Sequence, residues 1–187
     1  MTRIIGGTAG GRRIRVPAGT RTRPTSDRVR EALFSSVDAA LGSLHGLRFL
    51  DLYAGSGAVG LEARSRGAGV VTLVEHDRRT AGLIRENATA LGFTGVEVVA
   101  QSAHSFLDHP PLAPYDVVFL DPPYDLPNAQ VLAALHAMSG HSFLGTRAFV
   151  VVERSARGAD LAWPDGFAAG KAKRYGETVL WYGRATA

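Results

Sequence analysis

The sequence predicts an α/β fold built on a doubly wound, mostly parallel sheet. Runs of apolar residues alternate along the chain with segments in which apolar residues recur every three or four positions. Strands that alternate with helices in this way are typical of parallel sheets. Two apolar runs end abruptly, one in a glycine-rich turn at residues 55–60 and one at Pro122 and Pro123. Open sheets place ligands beside such turns, at the carboxyl ends of their strands.

The first half of the chain supplies two helices and two strands. Thr25 or Ser26 can cap the first helix, and Gly42 can end it. Its apolar positions recur every four residues, at Val29, Leu33, Val37 and Leu41. Residues 49–53 and 70–74 are predicted strands. Asp77 can cap the second helix, whose inward-facing positions are Ala81, Ile84, Ala88 and Leu91.

The second half continues the alternation. The predicted strands are residues 95–99, 117–120 and 149–153, and the predicted helices are residues 102–108 and 128–138. Residues 173–175 and 178–182 flank Gly176, which predicts a closing hairpin.

Residues 49–75 combine the features of a cofactor site. A G-x-G-x-x-G pattern follows the first strand, and Glu75 ends the next strand about twenty residues later, where a carboxylate binds ribose in adenosine-containing cofactors. A tight turn without a ligand is the alternative. Asp51, just before the turn, would repel a diphosphate but suits a cationic amino-acid group, unless it merely caps the turn or helix. Asp51 therefore favours S-adenosylmethionine over a nicotinamide dinucleotide.

Residues 121–124 form the most informative loop of the chain. Two successive prolines must end a strand, because neither can donate a ladder hydrogen bond. The Asp121 carboxylate and the Pro122 carbonyl offer two adjacent acceptors, which suit an –NH2 group with its two donors. The Tyr124 ring can stack on a flat base. The loop is predicted to hold an amine on a planar conjugated ring; a simple strand-ending turn is the alternative.

Positive charge is concentrated at the N-terminus. Residues 1–30 contain eight arginines and a single acid, a net charge of +7, so the overall charge of +4 leaves −3 for the rest. Such a cationic segment is typical of proteins that bind polyanions. Apolar residues alternate around Ile4 and Ile14, which favours a short hairpin over a solvated arm.

These motifs resemble those of class I S-adenosylmethionine-dependent methyltransferases, and residues 121–124 resemble the (Asp/Asn)-Pro-Pro-(Tyr/Phe) motif of amine methyltransferases. Residues 3–7, 10–12 and 22–34, and residues 174–178 near the end, resemble the bacterial RsmD family, which methylates N2 of one guanine in 16S ribosomal RNA. The resemblance implies a Rossmann-like seven-stranded sheet with a C-terminal antiparallel hairpin and a small N-terminal basic hairpin. Residues 101–103 depart from the pattern, because many relatives have an acidic residue there that contacts adenine.

The resemblance and the motifs together predict a division into a basic RNA-binding arm at residues 1–24 and a catalytic domain at residues 25–187. The predicted catalytic residues are Asp121, Pro122, Pro123 and Tyr124. The predicted cofactor-binding residues are Asp51, Tyr53, Gly55, Ser56, Gly57, Gly60, Glu75, His76, Gln101, Ser102 and Ala103. The predicted RNA-binding residues are Arg3, Arg12, Arg13, Arg15, Arg21, Arg23, Arg28 and Arg30. The cofactor is S-adenosylmethionine, with S-adenosylhomocysteine as product, and no metal is expected.

Composition limits the remaining possibilities. The 187-residue chain has no cysteine, no apolar run long enough to span a bilayer and no secretory signal. We expect a cytoplasmic monomer that acts on 16S ribosomal RNA, in the small subunit or an assembly intermediate. The alternatives are an amine methyltransferase acting on DNA adenine-N6, DNA cytosine-N4 or protein glutamine-N5, an NAD-dependent oxidoreductase, and a non-catalytic RNA-binding protein.

Overall fold

A computed structural model describes residues 1–18, 26–140 and 142–186 of the chain. Its helices are α1 (Asp27–Leu41), α2 (Ala58–Ser65), α3 (Arg78–Leu91), α4 (Ala103–Leu107) and α5 (Asn128–Gly140). Its strands are β1 (Thr2–Arg3), β2 (Arg13–Ile14), β3 (Arg48–Asp51), β4 (Val70–Val74), β5 (Val96–Val99), β6 (Tyr115–Leu120), β7 (Leu144–Ser155), β8 (Phe167–Ala169), β9 (Lys173–Tyr175) and β10 (Thr178–Ala185). None of the helices in these ranges is both long enough and apolar enough to cross a bilayer.

The main sheet has the strand order β5-β4-β3-β6-β7-β10-β8, with β9 also paired to β10. Strands β3 to β7 are mutually parallel, and β10 runs antiparallel to β7. Strands β8 and β9 pair with opposite ends of β10, at Gly183–Ala185 and Thr178–Leu180, so they share its outer side. The mostly parallel sheet and its C-terminal antiparallel hairpin are confirmed, but the sheet has eight strands, one more than the predicted seven. Strand β8 was not predicted, because three residues are too few to show an alternating pattern.

The strand order reverses between β3 and β6. The chain passes outward from β3 through β4 to β5, returns to β6 on the other side of β3, and continues to β7. Such a reversal opens a crevice at the carboxyl ends of the two central strands. Asp51 pairs in register with Phe119, so the residues that follow β3 and β6 meet at this crevice.

The predicted helix starts are confirmed by the hydrogen bonds of their caps. The Ser26 hydroxyl accepts from the Val29 N–H in α1, and the Asp77 carboxylate accepts from the Thr80 N–H in α3. Gly42 ends α1 as predicted. These caps satisfy amide groups that the first helical turn leaves without a partner.

The N-terminal segment is a docked hairpin rather than a solvated arm. Strands β1 and β2 pair antiparallel, with Arg3 opposite Arg13. Ile4 and Ile14 are buried and belong to one hydrophobic cluster with residues of α2 and α3. The predicted division at residue 24 falls between residues 19 and 25, outside the described ranges, and stays a prediction.

A buried carboxylate on α2 reinforces this docking. Glu62 accepts hydrogen bonds from the Ile5 N–H at 2.7 Å and the Gly6 N–H at 2.8 Å, and forms an ion pair with Arg66 at 2.8 Å. One turn later on α2, the Ser65 hydroxyl donates to the Gly6 carbonyl and accepts from the Ala9 N–H. The hairpin is therefore bonded to the same helix that begins at the glycine turn.

One predicted RNA contact is wrong. Arg30 is fully buried, and its guanidinium donates to the Arg3 carbonyl at 2.8 Å and to the Asp27 carboxylate at 2.7 Å. A side chain held in the interior cannot reach a phosphate at the surface. Its position is three residues before Leu33 and four before Phe34, both fully buried, so the helical period places Arg30 on the inward face of α1.

Replacement of Ile14 by Ala should lower the free energy of unfolding by about 2–5 kcal/mol, because it empties a buried site between the hairpin and α3. Urea denaturation measures this change. Arg13→Ala, on the same strand but exposed, is the matched control and should stay within about 0.5 kcal/mol of the original. Two equally small changes would show that the hairpin is not docked in solution.

Candidate active site

A large cleft lies at the carboxyl edge of β3, β4 and β6. Its volume is about 1640 Å³, and its walls include residues of the N-terminal segment, α3 and the loop after β6. The predicted site residues that line it are Asp51, Tyr53, Gly55, Ser56, Glu75, His76, Gln101, Ser102, Ala103, Asp121, Pro122, Pro123 and Tyr124. The cofactor motif and the Pro-Pro loop, 46 residues or more apart in sequence, thus open into one space.

Two of the predicted cofactor-binding glycines have packing roles in the structure. Gly57 has a φ of +80°, and a Cβ there would also lie 2.9 Å from Cγ2 of Ile84. A Cβ on Gly60 would lie 2.5 Å from Cδ2 of Leu73, so Gly60 lets α2 approach β4 closely. Neither glycine is among the residues that line the cleft.

Asp51 is a buried carboxyl group at the floor of the cleft. Only 1% of the residue is exposed, and its Oδ2 accepts from the Gly60 N–H at 3.0 Å. Its Oδ1 is buried and has no hydrogen-bond partner among the described residues. Burial raises the pKa of Asp51 to about 8; the Gly60 bond opposes this rise, and the charges of Asp121 and Glu75 add to it. A cationic ligand group beside Oδ1 would restore the charged form.

Glu75 fixes the turn between β3 and α2. Its Oε2 accepts from the Gly55 N–H at 2.9 Å, and its Oε1 accepts from the Asp77 N–H at 2.9 Å. His76 Nδ1 lies 3.1 Å from the same Oε1 and is exposed. Because each carboxylate oxygen has further lone pairs, Glu75 can still accept from ligand hydroxyls.

The start of α4 forms another part of the cleft wall. The Ser102 hydroxyl accepts from the Ser105 N–H at 3.1 Å and so caps this helix. Ala103 is largely buried, whereas Gln101 is exposed. The Ser102 hydroxyl is thus already used as a cap, and Gln101 is the neighbouring polar side chain on the cleft wall.

The Pro-Pro loop faces the cofactor turn across the junction of β3 and β6. Asp121 is partly buried and close enough to Asp51 for its charge to raise the pKa of that carboxyl. Tyr124 is 54% exposed at the mouth of the cleft, where an incoming aromatic ring can reach it. The Pro123 carbonyl accepts from the Leu126 N–H at 2.9 Å and from the Arg154 guanidinium at 3.2 Å.

Two groups of residues in or beside the cleft were missed from the sequence. Residues 16–18 line the cleft next to α3, together with Arg15, which was predicted only to bind RNA. Asn87 bonds this segment twice, accepting from the Arg15 N–H and donating to the Arg15 carbonyl. Arg154, on β7, bonds the loop after β6. The available signal for Arg154 was a charged residue just after the apolar run of β7.

The remaining predicted RNA-binding arginines differ in their surroundings. All five in the described ranges are exposed, Arg13 and Arg28 among them. The other three in the described ranges bond the protein itself: Arg3 to Asp27, Arg12 to the Ala90 and Leu91 carbonyls at the end of α3, and Arg15 to Glu86. Arg21 and Arg23 lie outside the described residues. No group of three or more His, Asp or Glu side chains that could hold a metal ion occurs among the residues described.

Known proteins share both this sequence pattern and this architecture. Residues 2–184 match the family model described as "Conserved hypothetical protein 95". The ribosomal RNA small subunit methyltransferase D of Escherichia coli K12 is 37% identical over 151 residues, which cover 81% of this chain and 73% of that protein.

Solved structures agree with the sequence comparison. A methyltransferase structure from Escherichia coli, yhhF, superposes with a TM-score of 0.86 at 32% identity, covering 99% of this chain and 98% of that one. A methyltransferase solved with SAH has a TM-score of 0.65 at 16% identity, covers 84% of this chain and 48% of that one, and is similar in fold alone. With a family model that spans almost the whole chain and a relative that is 37% identical, the chain belongs to the RsmD family of ribosomal RNA methyltransferases.

Proposed function

We propose that this protein transfers a methyl group from S-adenosylmethionine to the exocyclic N2 amine of a guanine in 16S ribosomal RNA. The observation that carries the proposal is the meeting of two motifs in one cleft: the buried Asp51 beside the glycine turn, and the Asp121 loop beyond the adjoining strand. The names of the relatives support RNA of the small ribosomal subunit as the substrate. We further propose that the protein acts as a monomer in the cytoplasm, on the small subunit or its assembly intermediate.

The residues of the cleft fit the cofactor. The unpartnered Oδ1 of Asp51 suits the ammonium of the methionine group, and Glu75 suits the ribose hydroxyls. A sulfonium and an ammonium, with no phosphate, match a cleft whose floor carries carboxyl groups. When bound, S-adenosylmethionine supplies an electrophilic methyl group.

The Asp121 loop binds and orients the amine of the substrate. The lone pair of a guanine N2 amine is delocalised into the ring, so the amine is a weak nucleophile until its geometry changes. Asp121 and the Pro122 carbonyl can accept its two N–H groups, which turns the nitrogen toward a tetrahedral arrangement and aims its lone pair. Such positioning contributes several kcal/mol, up to about 7–11 in the best cases. The Asp121 carboxylate also accepts the proton that the amine loses. The Tyr124 ring stacks on the guanine ring.

The target guanine must unstack from the adjacent bases, and unpair if it lies in a duplex, before it can enter the cleft. Extrusion from a duplex costs a few kcal/mol and costs less from a loop, so a guanine in a hairpin loop is a favourable target. The exposed arginines Arg13 and Arg28 lie on the N-terminal hairpin and the first turn of α1, where they can contact phosphates beside it. Arginine suits this role because its planar fork matches phosphate geometry.

Asp121→Ala should abolish most turnover and leave S-adenosylmethionine affinity nearly unchanged, because the carboxylate acts on the amine. Single-turnover transfer of labelled methyl to small ribosomal subunits, with both substrates saturating, measures the loss. Duplex DNA serves as the competing substrate and should stay unlabelled. A rate that falls less than about tenfold, under ~1.4 kcal/mol of barrier, would mean that the loop only ends a strand.

Asp51→Asn should weaken cofactor binding and stabilise the cofactor-free protein. The folded pKa of Asp51 is about 8, above the ordinary pKa of 3.8 for this group, so the stability that this carboxyl contributes is full below pH 4 and is lost as the pH rises through 8. The amide does not titrate, and it can still accept from the Gly60 N–H. The variant's advantage in melting temperature should therefore grow between pH 5 and pH 8.

Thermal unfolding across this pH range and calorimetric titration with S-adenosylmethionine test both halves of that prediction. Glu97→Gln, at a carboxylate outside the cleft, is the control for a lost negative charge. Parallel melting curves for the original protein and Asp51→Asn would contradict the raised pKa. Unchanged affinity would remove Asp51 from the ammonium site.

The double variant Arg13→Ala, Arg28→Ala should weaken RNA binding through phosphate contacts. Each phosphate neutralised on single-stranded RNA adds about −0.7 to the slope of log affinity against log salt, so two lost contacts should flatten it by about 1.4. Arg147→Gln is the control, since Arg147 is exposed at the amino end of β7, at the opposite edge of the sheet. Equal slopes for all three proteins would show that RNA is held elsewhere.

A further inference from the structure

Arg154 occupies a position next to the catalytic loop that β-sheet register determines. Strands β6 and β7 are parallel, with Leu120, the last residue of β6, opposite Val152. Strand β7 continues to Ser155, so Arg154 lies beyond the end of β6, beside the residues that follow it. The residue is only 8% exposed, which is rare for arginine and requires that its donors be used.

The guanidinium is bonded to three acceptors of the segment between β6 and α5. Nη1 donates to the Pro123 carbonyl at 3.2 Å, and Nη2 donates to the Leu126 carbonyl at 2.7 Å and to Oδ1 of Asn128 at 3.1 Å. These bonds extend from the second proline to the first residue of α5. Hydrogen bonds from a charged donor are about twice as strong as neutral ones, and the rigid fork of arginine fixes their directions.

The two prolines limit the backbone hydrogen bonds of this segment, because neither has an N–H to donate. Its backbone bonds include a turn from the Leu126 N–H to the Pro123 carbonyl and the first helical bonds to the Pro127 carbonyl. The loop lies at the cleft, where water would otherwise compete for its carbonyl groups.

We infer that Arg154 is a positioning residue of the methyl transfer, which holds the loop so that Asp121 and the Pro122 carbonyl face the amine together. This inference rests on the proposed function of the Asp121 loop. The Pro123 carbonyl already accepts from both Leu126 and Arg154, so its two lone pairs are used. The adjacent Pro122 carbonyl is then the one presented to the substrate.

The charge of Arg154 reaches the cleft as well. Burial raises the pKa of the Tyr53 hydroxyl, and the positive charge of Arg154 opposes that rise. Tyr53 lines the cleft directly after β3, so Arg154 acts on both sides of the crevice. A lysine in its place would keep the charge but could not reach all three acceptors in their fixed directions.

Arg154→Lys should therefore lower kcat roughly ten- to a hundredfold, the effect expected when reacting groups are displaced by a fraction of an ångström to one ångström. The affinity for S-adenosylmethionine and the KM for small ribosomal subunits should stay within about twofold to threefold. Arg157→Lys is the matched control, because Arg157 is an exposed arginine three residues later that pairs with Glu177 at the surface. It should keep the original kcat.

Two variants of Asn128 test the same contact while Arg154 itself stays in place. Asn128→Ala removes one of the three acceptors, and Asn128→Asp keeps an acceptor oxygen there and adds a charge that attracts Arg154. Asn128→Ala should reduce kcat severalfold, and Asn128→Asp should restore it. A role in folding alone would not give this rescue at an unchanged melting temperature.

Amide hydrogen exchange gives a readout that needs no substrate. The exchange rate of the Leu126 N–H should increase at least tenfold in Arg154→Lys and by a smaller factor in Asn128→Ala. The exchange rates of the α3 amides should equal those of the original protein. Normal exchange and normal kcat in both variants would overturn the inference, as would a loss of kcat accompanied by an equal loss of cofactor affinity. If the original protein fails to methylate any RNA, the proposed function fails, whereas faster exchange would still show that Arg154 holds the loop.

Discussion

The parallel pairing of β3 with β6 is the contact on which the site depends. It joins the strand that carries Asp51 to the strand that carries Asp121, and the Leu52 N–H continues the ladder by donating to the Phe119 carbonyl at 3.0 Å. Two acidic residues from distant parts of the sequence are thereby held close enough for one to shift the pKa of the other. The glycine turn after β3 and the Pro-Pro loop after β6 cannot separate at these points without breaking the middle of the sheet. The places where both loops leave the sheet are thus as fixed as the core itself.

The closeness of Asp51 to two other acidic residues lowers the stability of the folded protein. Burying a carboxyl with one unpartnered oxygen costs more free energy than burying an apolar group of the same size. The neighbouring carboxylates of Glu75 and Asp121 add to this cost, since each disfavours ionisation of Asp51. The folded protein therefore keeps a buried oxygen that a donor can complete, and a cationic donor would also favour the charged form of Asp51. Such local destabilisation is common where a binding site is formed before its ligand arrives.

Local patterns in the sequence predicted most of the fold, and long-range contacts account for what they missed. Helix caps such as Ser26 and Asp77, and the residues that end β3, β4 and β6, are set by neighbours a few positions away. Strand β8 is too short to carry a pattern, and it forms only because β10 offers it an edge. The helical period places Arg30 beside the buried Leu33 and Phe34, but its bond to the Arg3 carbonyl depends on a contact with a distant part of the chain. The position of Arg154 likewise depends on the register of β7 against β6. Composition counts every arginine alike and so could not separate Arg30 from Arg28.

The docking of the N-terminal hairpin also sets an order of events during synthesis. Residues 4–14 are translated before their partners on α2 and α3, which follow some 44 to 87 residues later. While the chain is still growing, Ile4 and Ile14 have no surface to cover them, and nascent segments of this kind are prone to aggregate. The arginines that surround them keep the waiting segment hydrated and repel a second copy of it. The hairpin can dock fully only after α3 has emerged, so a segment made early must wait for its partners.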